Sequence, residues 1–261
     1  MSMPAEVDQL TDQFLSEVDR RRAGLIDGLY LHGSLCWGEF FPDSDIDFVG
    51  VLDREPRPDD LGHLAASHAQ IREAFPERRF EGFYCQVSDL ARPPSDLTSV
   101  PVHFEAEFEP RGSGDVNLVT WHELAERGLV IRGELPPIHT DPDALLAFSR
   151  ENLRTYWTAV LDRVEDADPA TVGAHEWLVA WVTLGVARLH HLLVRRELTS
   201  KSGAGRYVLE TLDPRWHPLA TDALAIREEA PDRSSYEDLT QRGRDLRAFL
   251  AWTIDTGTRE S

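Results

Sequence analysis

Apolar and polar positions change rhythm along this chain, and the changes predict its elements. Residues 5 to 21 carry Val7, Leu10, Phe14, Leu15 and Val18 at helical spacing. Two apolar runs of strand length follow, Leu25 to Leu31, interrupted by the polar Asp27-Gly28, and Ile46 to Leu52. A Pro- and Asp-containing break over residues 53 to 60 leads into a helix over Leu61 to Phe75. Alternation returns from Phe80 to Val87, with Glu81, Phe83, Cys85 and Val87 on one face and Phe80, Gly82, Tyr84 and Gln86 on the other. ARPPSDLTSVP reads as loop, and the acidic, aromatic HFEAEFEPRGSGDV as either a strand or an irregular loop. Val116 to Arg127 fits a helix, and GLVIRGE a helix end, a short strand and a turn.

The proline-rich PPIHTDPDA then separates this mixed half from one with helical signals only. Helices are expected over Asp143–Val164, Ala174–Arg196, Ala204–Leu212, Pro218–Glu229 and Ser235–Thr256. The second of these is apolar almost all round, as the central helix of a bundle is. Trp157, Trp177 and Trp181 read as core of that bundle. The fold class is α+β: an N-terminal α/β domain with a small mixed sheet, residues 1–140, then a C-terminal all-α helical bundle, residues 141–261.

A chain of 261 residues can bury one large core or two ordinary ones. Its start is amphipathic and acidic rather than a secretory leader, and no run approaches the ~18 apolar residues that span a bilayer. Two cysteines, Cys36 and Cys85, make no disulfide framework and fit a reducing cytoplasm. The formal net charge of −19 disfavours nucleic-acid binding, which needs a basic surface, and attracts cationic substrates. It equally fits a chain selected for solubility.

The chemistry concentrates in LYLHGSLCWGEFFPDSDIDFVGVL, residues 29–52. A strand ends at His32, Gly33-Ser34 makes a turn, and the next strand carries Asp45 and Asp47 on one side, with Cα atoms roughly 6.6 Å apart. Such a pair is either a divalent-metal site or two solvated acids on an edge strand, and the Gly-Ser turn favours metal and phosphate. A small residue pair lets backbone N–H groups approach phosphate oxygens, and Ser34 adds a hydroxyl donor. Mg2+ takes one or two carboxylates together with substrate phosphates. Glu81 on the adjoining strand is placed to supply a third carboxylate, as general base or metal ligand; its alternative is an edge-strand acid facing water.

These residues resemble the polymerase-β-type nucleotidyltransferase superfamily, through Gly33-Ser34, a ten-residue spacer and Asp45-Ile46-Asp47. Arg188 and the following RRELTSKSGAGRYVLETLDPRWHPLATDAL resemble the helical domain of the streptomycin/spectinomycin adenylyltransferases, which move AMP from ATP onto a drug hydroxyl. The resemblance implies an N-terminal nucleotidyltransferase domain and a helical domain that binds nucleotide and acceptor. By position it makes Gly33 and Ser34 phosphate contacts, Asp45, Asp47 and Glu81 ligands of two Mg2+ ions, and Glu81 the catalytic base. Arg188 and Lys201 match positive groups that reach the ATP phosphates. Arg188 sits among apolar neighbours where a guanidinium needs a partner, a triphosphate or a helix acid. Lys201 opens the next helix from a Ser/Gly loop, a sensible phosphate position.

The chain also departs from these relatives. Where they carry acids that hold the cationic drug, this sequence reads Gly-Ala-His-Glu-Trp-Leu from position 173, with Glu176 alone acidic. A nucleotide-stacking tyrosine aligns with Arg227. Glu105, Glu107 and Glu109, with Phe104 or Phe108, form either an acceptor pocket or an exposed acidic loop. His190 and His191 face different sides of one helix and cannot chelate together, and nothing marks Cys36 as a nucleophile. The expected activity is AMP transfer from ATP to an aminoglycoside or aminocyclitol hydroxyl, by a cytoplasmic monomer with no nucleic-acid or membrane partner. The alternatives are nucleotidylation of another small molecule or of a protein hydroxyl, and a nucleotide-binding relative without activity.

Overall fold

The structure, a computed structural model, describes residues 3–230 and 236–259. The chain divides into two compact units, Met1–Asp141 and Pro142–Ser261. The first begins with helix α1, Ala5–Arg21, whose apolar stripe Val7, Leu10, Phe14 and Val18 is wholly buried. Strands β1, Ile26–Leu31, and β2, Ile46–Leu52, then form an antiparallel pair. Helix α2, Pro58–Ala74, carries the chain to β3, Phe80–Gln86, which runs parallel to β2.

A one-turn helix, α3 (Val87–Leu90), precedes a hairpin of β4, Val100–Phe104, and β5, Glu107–Gly112. The hairpin settles the open reading of HFEAEFEPRGSGDV as strand, and β4 begins inside the stretch read as loop. Glu105 and Ala106 turn it with φ of 48° and 64°. Helix α4, Leu118–Arg127, is capped by Asn117, whose side chain accepts from the Val119 and Thr120 N–H groups. Strand β6, Leu129–Arg132, closes a mixed sheet of order β5-β4-β3-β2-β1-β6.

Alternation along β2 and β3 feeds two cores. Ile46, Phe48, Phe80 and Tyr84 pack with α1 and α2 on one face; Val49, Val51, Phe83 and Cys85 pack with Trp121 and Leu124 of α4 on the other. Asp47 and Glu81 belong to this second face by register.

The second unit is all helical among the described residues. The helix expected over Asp143–Val164 is α5, Pro142–Asn152, a π-helical stretch, Leu153–Trp157, and α6, Thr158–Asp166. A short α7, Pro169–Ala174, was not foreseen; Asp168 caps it and proline opens it. It lies against the last helix, α11 (Leu239–Thr258), so close that a Cβ on Gly173 would meet the Leu239 carbonyl oxygen at 1.9 Å and one on Gly243 the Pro169 oxygen at 2.0 Å. Helices α8, Glu176–Arg195, α9, Lys201–Thr211, α10, His217–Arg227, and α11, Leu239–Thr258, complete the bundle. Ser235, expected to begin the last helix, lies outside the described residues.

Two expectations about α8 need correction. By length and composition it could cross a bilayer, with mean hydropathy 1.4, so the chain does hold one such run. Here Val179, Val182, Val186 and Ala187 instead pack into the bundle core. Trp177 is not core: at the first turn of α8 it is 61% exposed and stacks flat on Trp181, whereas Trp157 is buried. A helix end leaves its first side chains without neighbours to cover them.

Candidate active site

Gly33 follows β1 with φ of +62°, a conformation glycine adopts without strain. Space demands glycine as well, because a Cβ there would sit 1.9 Å from Asp47 Oδ2. The turn and the Asp47 carboxylate are therefore in direct contact, and the His32 N–H donates to the Asp47 carbonyl at 3.0 Å. Ser34 follows; its hydroxyl oxygen is enclosed and finds no hydrogen-bond partner among the described residues.

Asp47 pairs in register with Glu81 across the parallel β2–β3 ladder, so the two carboxylates leave the sheet side by side. Asp45 precedes β2 rather than lying within it, and it pairs with Arg79. Burial, with Asp45, Asp115 and Glu123 nearby, pushes the Asp47 carboxyl up to about 6 against the pull of His32. Burial, then the charge of Asp45, pushes Glu81 to about 7, opposed by the hydrogen bond from the Glu105 N–H at 3.2 Å.

Among the described residues no group of three or more His, Cys, Asp or Glu side chains is gathered closely enough to hold a metal ion. Asp45 is turned to Arg79 and Glu81 to the β4–β5 turn. In chemistry and charge the set still fits a hard divalent cation: the donors are all oxygens, and burial and crowding by neighbouring carboxylates raise the proton affinity of Asp47 and Glu81, which a cation relieves.

Sequence reasoning missed two nearby acids. Asp115 acts on Asp47 and His32 through its charge. Glu123, on α4, is buried with His32: its Oε2 accepts the Gly33 N–H at 3.0 Å and lies 3.5 Å from His32 Nδ1, and its Oε1 accepts the Trp37 indole N–H at 2.8 Å. Burial alone would lower the His32 pKa; Glu123 and Asp47 outweigh it and raise it. An acid in a short helix ordinarily faces water, so the sequence carried no signal for Glu123.

Glu105, Glu107 and Glu109 are all exposed on the β4–β5 hairpin, and of these only the Glu105 backbone touches Glu81. In the second unit, Arg188 is half-buried on α8 and its Nε–H donates to the Thr199 carbonyl at 3.1 Å. That bond ties α8 to the entrance of α9, where Ser200 caps Gly203 and half-buried Lys201 takes the first position. Glu176 is exposed at the start of α8. His190 is buried and His191 half-buried, on different sides of the helix.

No protein-family model matches the chain. It is 24% identical over 236 residues to a spectinomycin 9-adenylyltransferase of Campylobacter jejuni, covering 84% of each chain. Its fold matches the crystal structure of spectinomycin adenyltransferase AAD(9) from Enterococcus faecialis with ATP and spectinomycin, with a TM-score of 0.64 at 13% identity, over 93% of this chain and 98% of that one. Over most of its length the chain resembles the spectinomycin/streptomycin-type adenylyltransferases.

Proposed function

We propose that this protein is an adenylyltransferase that moves AMP from ATP to a hydroxyl of a cationic aminoglycoside or aminocyclitol, with spectinomycin and streptomycin as first candidates. The observation that carries the reading is the register pair Asp47–Glu81 behind the Gly33-Ser34 turn. Like charges raised toward neutrality beside an unpartnered hydroxyl suit a cation and a phosphate. The curated relative and the structural neighbour, both spectinomycin adenylyltransferases by name, support it.

Asp45, Asp47 and Glu81 would hold Mg2+, which when bound offsets the charge of the phosphates and of the leaving group. Ser34 donates its hydroxyl to a phosphate oxygen, and we assign phosphate contacts to Arg188 and Lys201 as well. Glu81 takes the proton of the acceptor hydroxyl. The acceptor oxygen then forms a bond to the α-phosphorus while the bond from that phosphorus to the bridging oxygen breaks, and pyrophosphate leaves with the electron pair. The raised proton affinity of Glu81 suits this role, because a base poised near neutrality both accepts and later releases a proton. We assign acceptor contacts to Glu105, Glu107 and Glu176, exposed acids on a chain of net charge −19.

Purified protein with ATP and Mg2+ should release pyrophosphate when spectinomycin, streptomycin or a relative is added, and Glu81→Gln should reduce the rate at least about 100-fold. Release that is independent of any such acceptor would point to another hydroxyl. No release across the panel would overturn the acceptor assignment.

A further inference from the structure

Glu123 lies outside the three carboxylates assigned to cation and proton, yet it is the more deeply buried acid and touches the phosphate turn directly. Its two oxygens are used separately: Oε2 takes the Gly33 N–H at 3.0 Å and Oε1 the Trp37 indole N–H at 2.8 Å. These donors flank Ser34. Gly33 fixes the entry to the turn and Trp37 the exit, where Leu35–Trp37 forms one turn of 3-10 helix. Trp37 is pressed from its other side by Arg127, whose guanidinium carbon lies 4.0 Å from the ring centroid, one helical turn beyond Glu123 on α4. A single helix therefore grips the loop at both ends.

We propose that Glu123 is a positioning residue for nucleotide binding: its carboxylate clamps the Gly33–Trp37 turn so that the unpartnered Ser34 hydroxyl is held in place for a phosphate oxygen. The inference rests on the adenylyltransferase reading, because it takes the turn to be the phosphate site. Nothing else among the described residues holds the Gly33 N–H, and a carboxylate accepts from two donors at once where an amide presents one oxygen. Buried charge-assisted hydrogen bonds are among the stronger ones, so their loss should be felt.

Binding of ATP with Mg2+ and of adenosine alone, measured by calorimetry, tests the clamp. Glu123→Ala should weaken ATP about 10- to 100-fold, the cost of losing one or two charge-assisted bonds, and leave adenosine, which has no phosphate, unchanged. Glu123→Gln should lie between, because its NH2 group meets the indole N–H. Adding Trp37→Phe to Glu123→Gln removes that donor–donor clash and should bring ATP binding back toward the wild type. A merely structural role would move ATP and adenosine together and show no recovery in the double variant.

ATP affinity within about twofold of wild type in folded Glu123→Ala would overturn the inference. Should Glu123→Ala fail to fold, the Glu123→Gln and double variants decide it by the same comparison. Wild-type protein that binds no ATP would overturn the adenylyltransferase reading itself, a different result from normal wild-type binding with an indifferent Glu123→Ala.

Discussion

Asp47 and Glu81 are carboxylates placed where the folded chain would rather hold them protonated. Their pKa values rise to about 6 and about 7, whereas in an unfolded chain they ionise near 3.8 and 4.5. Over that window the folded state keeps a proton that the unfolded state has released, so each group's favourable contribution fades as pH rises through its folded pKa. Above pH 7 both charges strain the cation-free protein. Asp47→Asn should therefore raise Tm at pH 8, by an amount that shrinks as pH falls toward 4. Mg2+ should raise the Tm of the wild type more than that of the variant. A variant less stable than wild type at pH 8 would remove the electrostatic argument for a cation here. The Asp-x-Asp pattern was legible because it is local. Glu123 was not, because only the fold brings α4 beneath the Gly33 turn.

Whole elements show the same division between local and non-local signals. Helices α1, α2 and α4, and strands β1 to β3, follow from apolar spacing, since each buries a continuous stripe or face. The β4–β5 hairpin was ambiguous because β5 is exposed along most of its length and buries no continuous apolar face, and its turn uses Glu105 and Ala106 where glycine or asparagine is usual. The six residues of α7 were invisible because their packing against α11 rests on the paired glycines Gly173 and Gly243, which have no apolar side chain to read.

Buried histidines join several of these elements. His68 of α2 stacks on His103 of β4 with centroids 3.9 Å apart, and its Nε2 lies 2.6 Å from the Tyr84 hydroxyl. His190 of α8 meets the Tyr207 hydroxyl of α9 at 3.0 Å. Burial lowers all three, His190 to about 4 from an ordinary 6.5, with a neighbouring His adding to the effect on His68 and His190. As pH falls below 6.5 the unfolded chain takes up protons first, so this part of the stability is present above 6.5 and is lost on the way to 4. His190→Phe keeps a ring and carries no titration. Its urea midpoint relative to wild type should improve steadily from pH 6.5 to 4.5, and a constant offset would contradict the assignment.

The first unit carries Asp45, Asp47, Glu81 and the Gly33-Ser34 turn, and the second carries Arg188 and Lys201 where α8 gives way to α9. The mixed sheet followed by a helical bundle was legible in the change from alternating to helical patterning and in the proline-rich linker. A role for the exposed acids Glu105, Glu107 and Glu176 was not, since an exposed acid leaves no apolar pattern to read. A net charge of −19 attracts cations and repels polyanions, and that field weakens with salt.

In the proposed reaction the α-phosphoryl group travels with its nucleoside to an acceptor hydroxyl. ATP labelled in turn at the α- and γ-phosphorus, incubated with Mg2+, protein and spectinomycin or streptomycin, tests it most directly. The α-label should join the acceptor and the γ-label leave in pyrophosphate, with both rates reduced at least about 100-fold in Glu81→Gln. Transfer of the γ-label to the acceptor, or α-label transfer undiminished in Glu81→Gln, would contradict it.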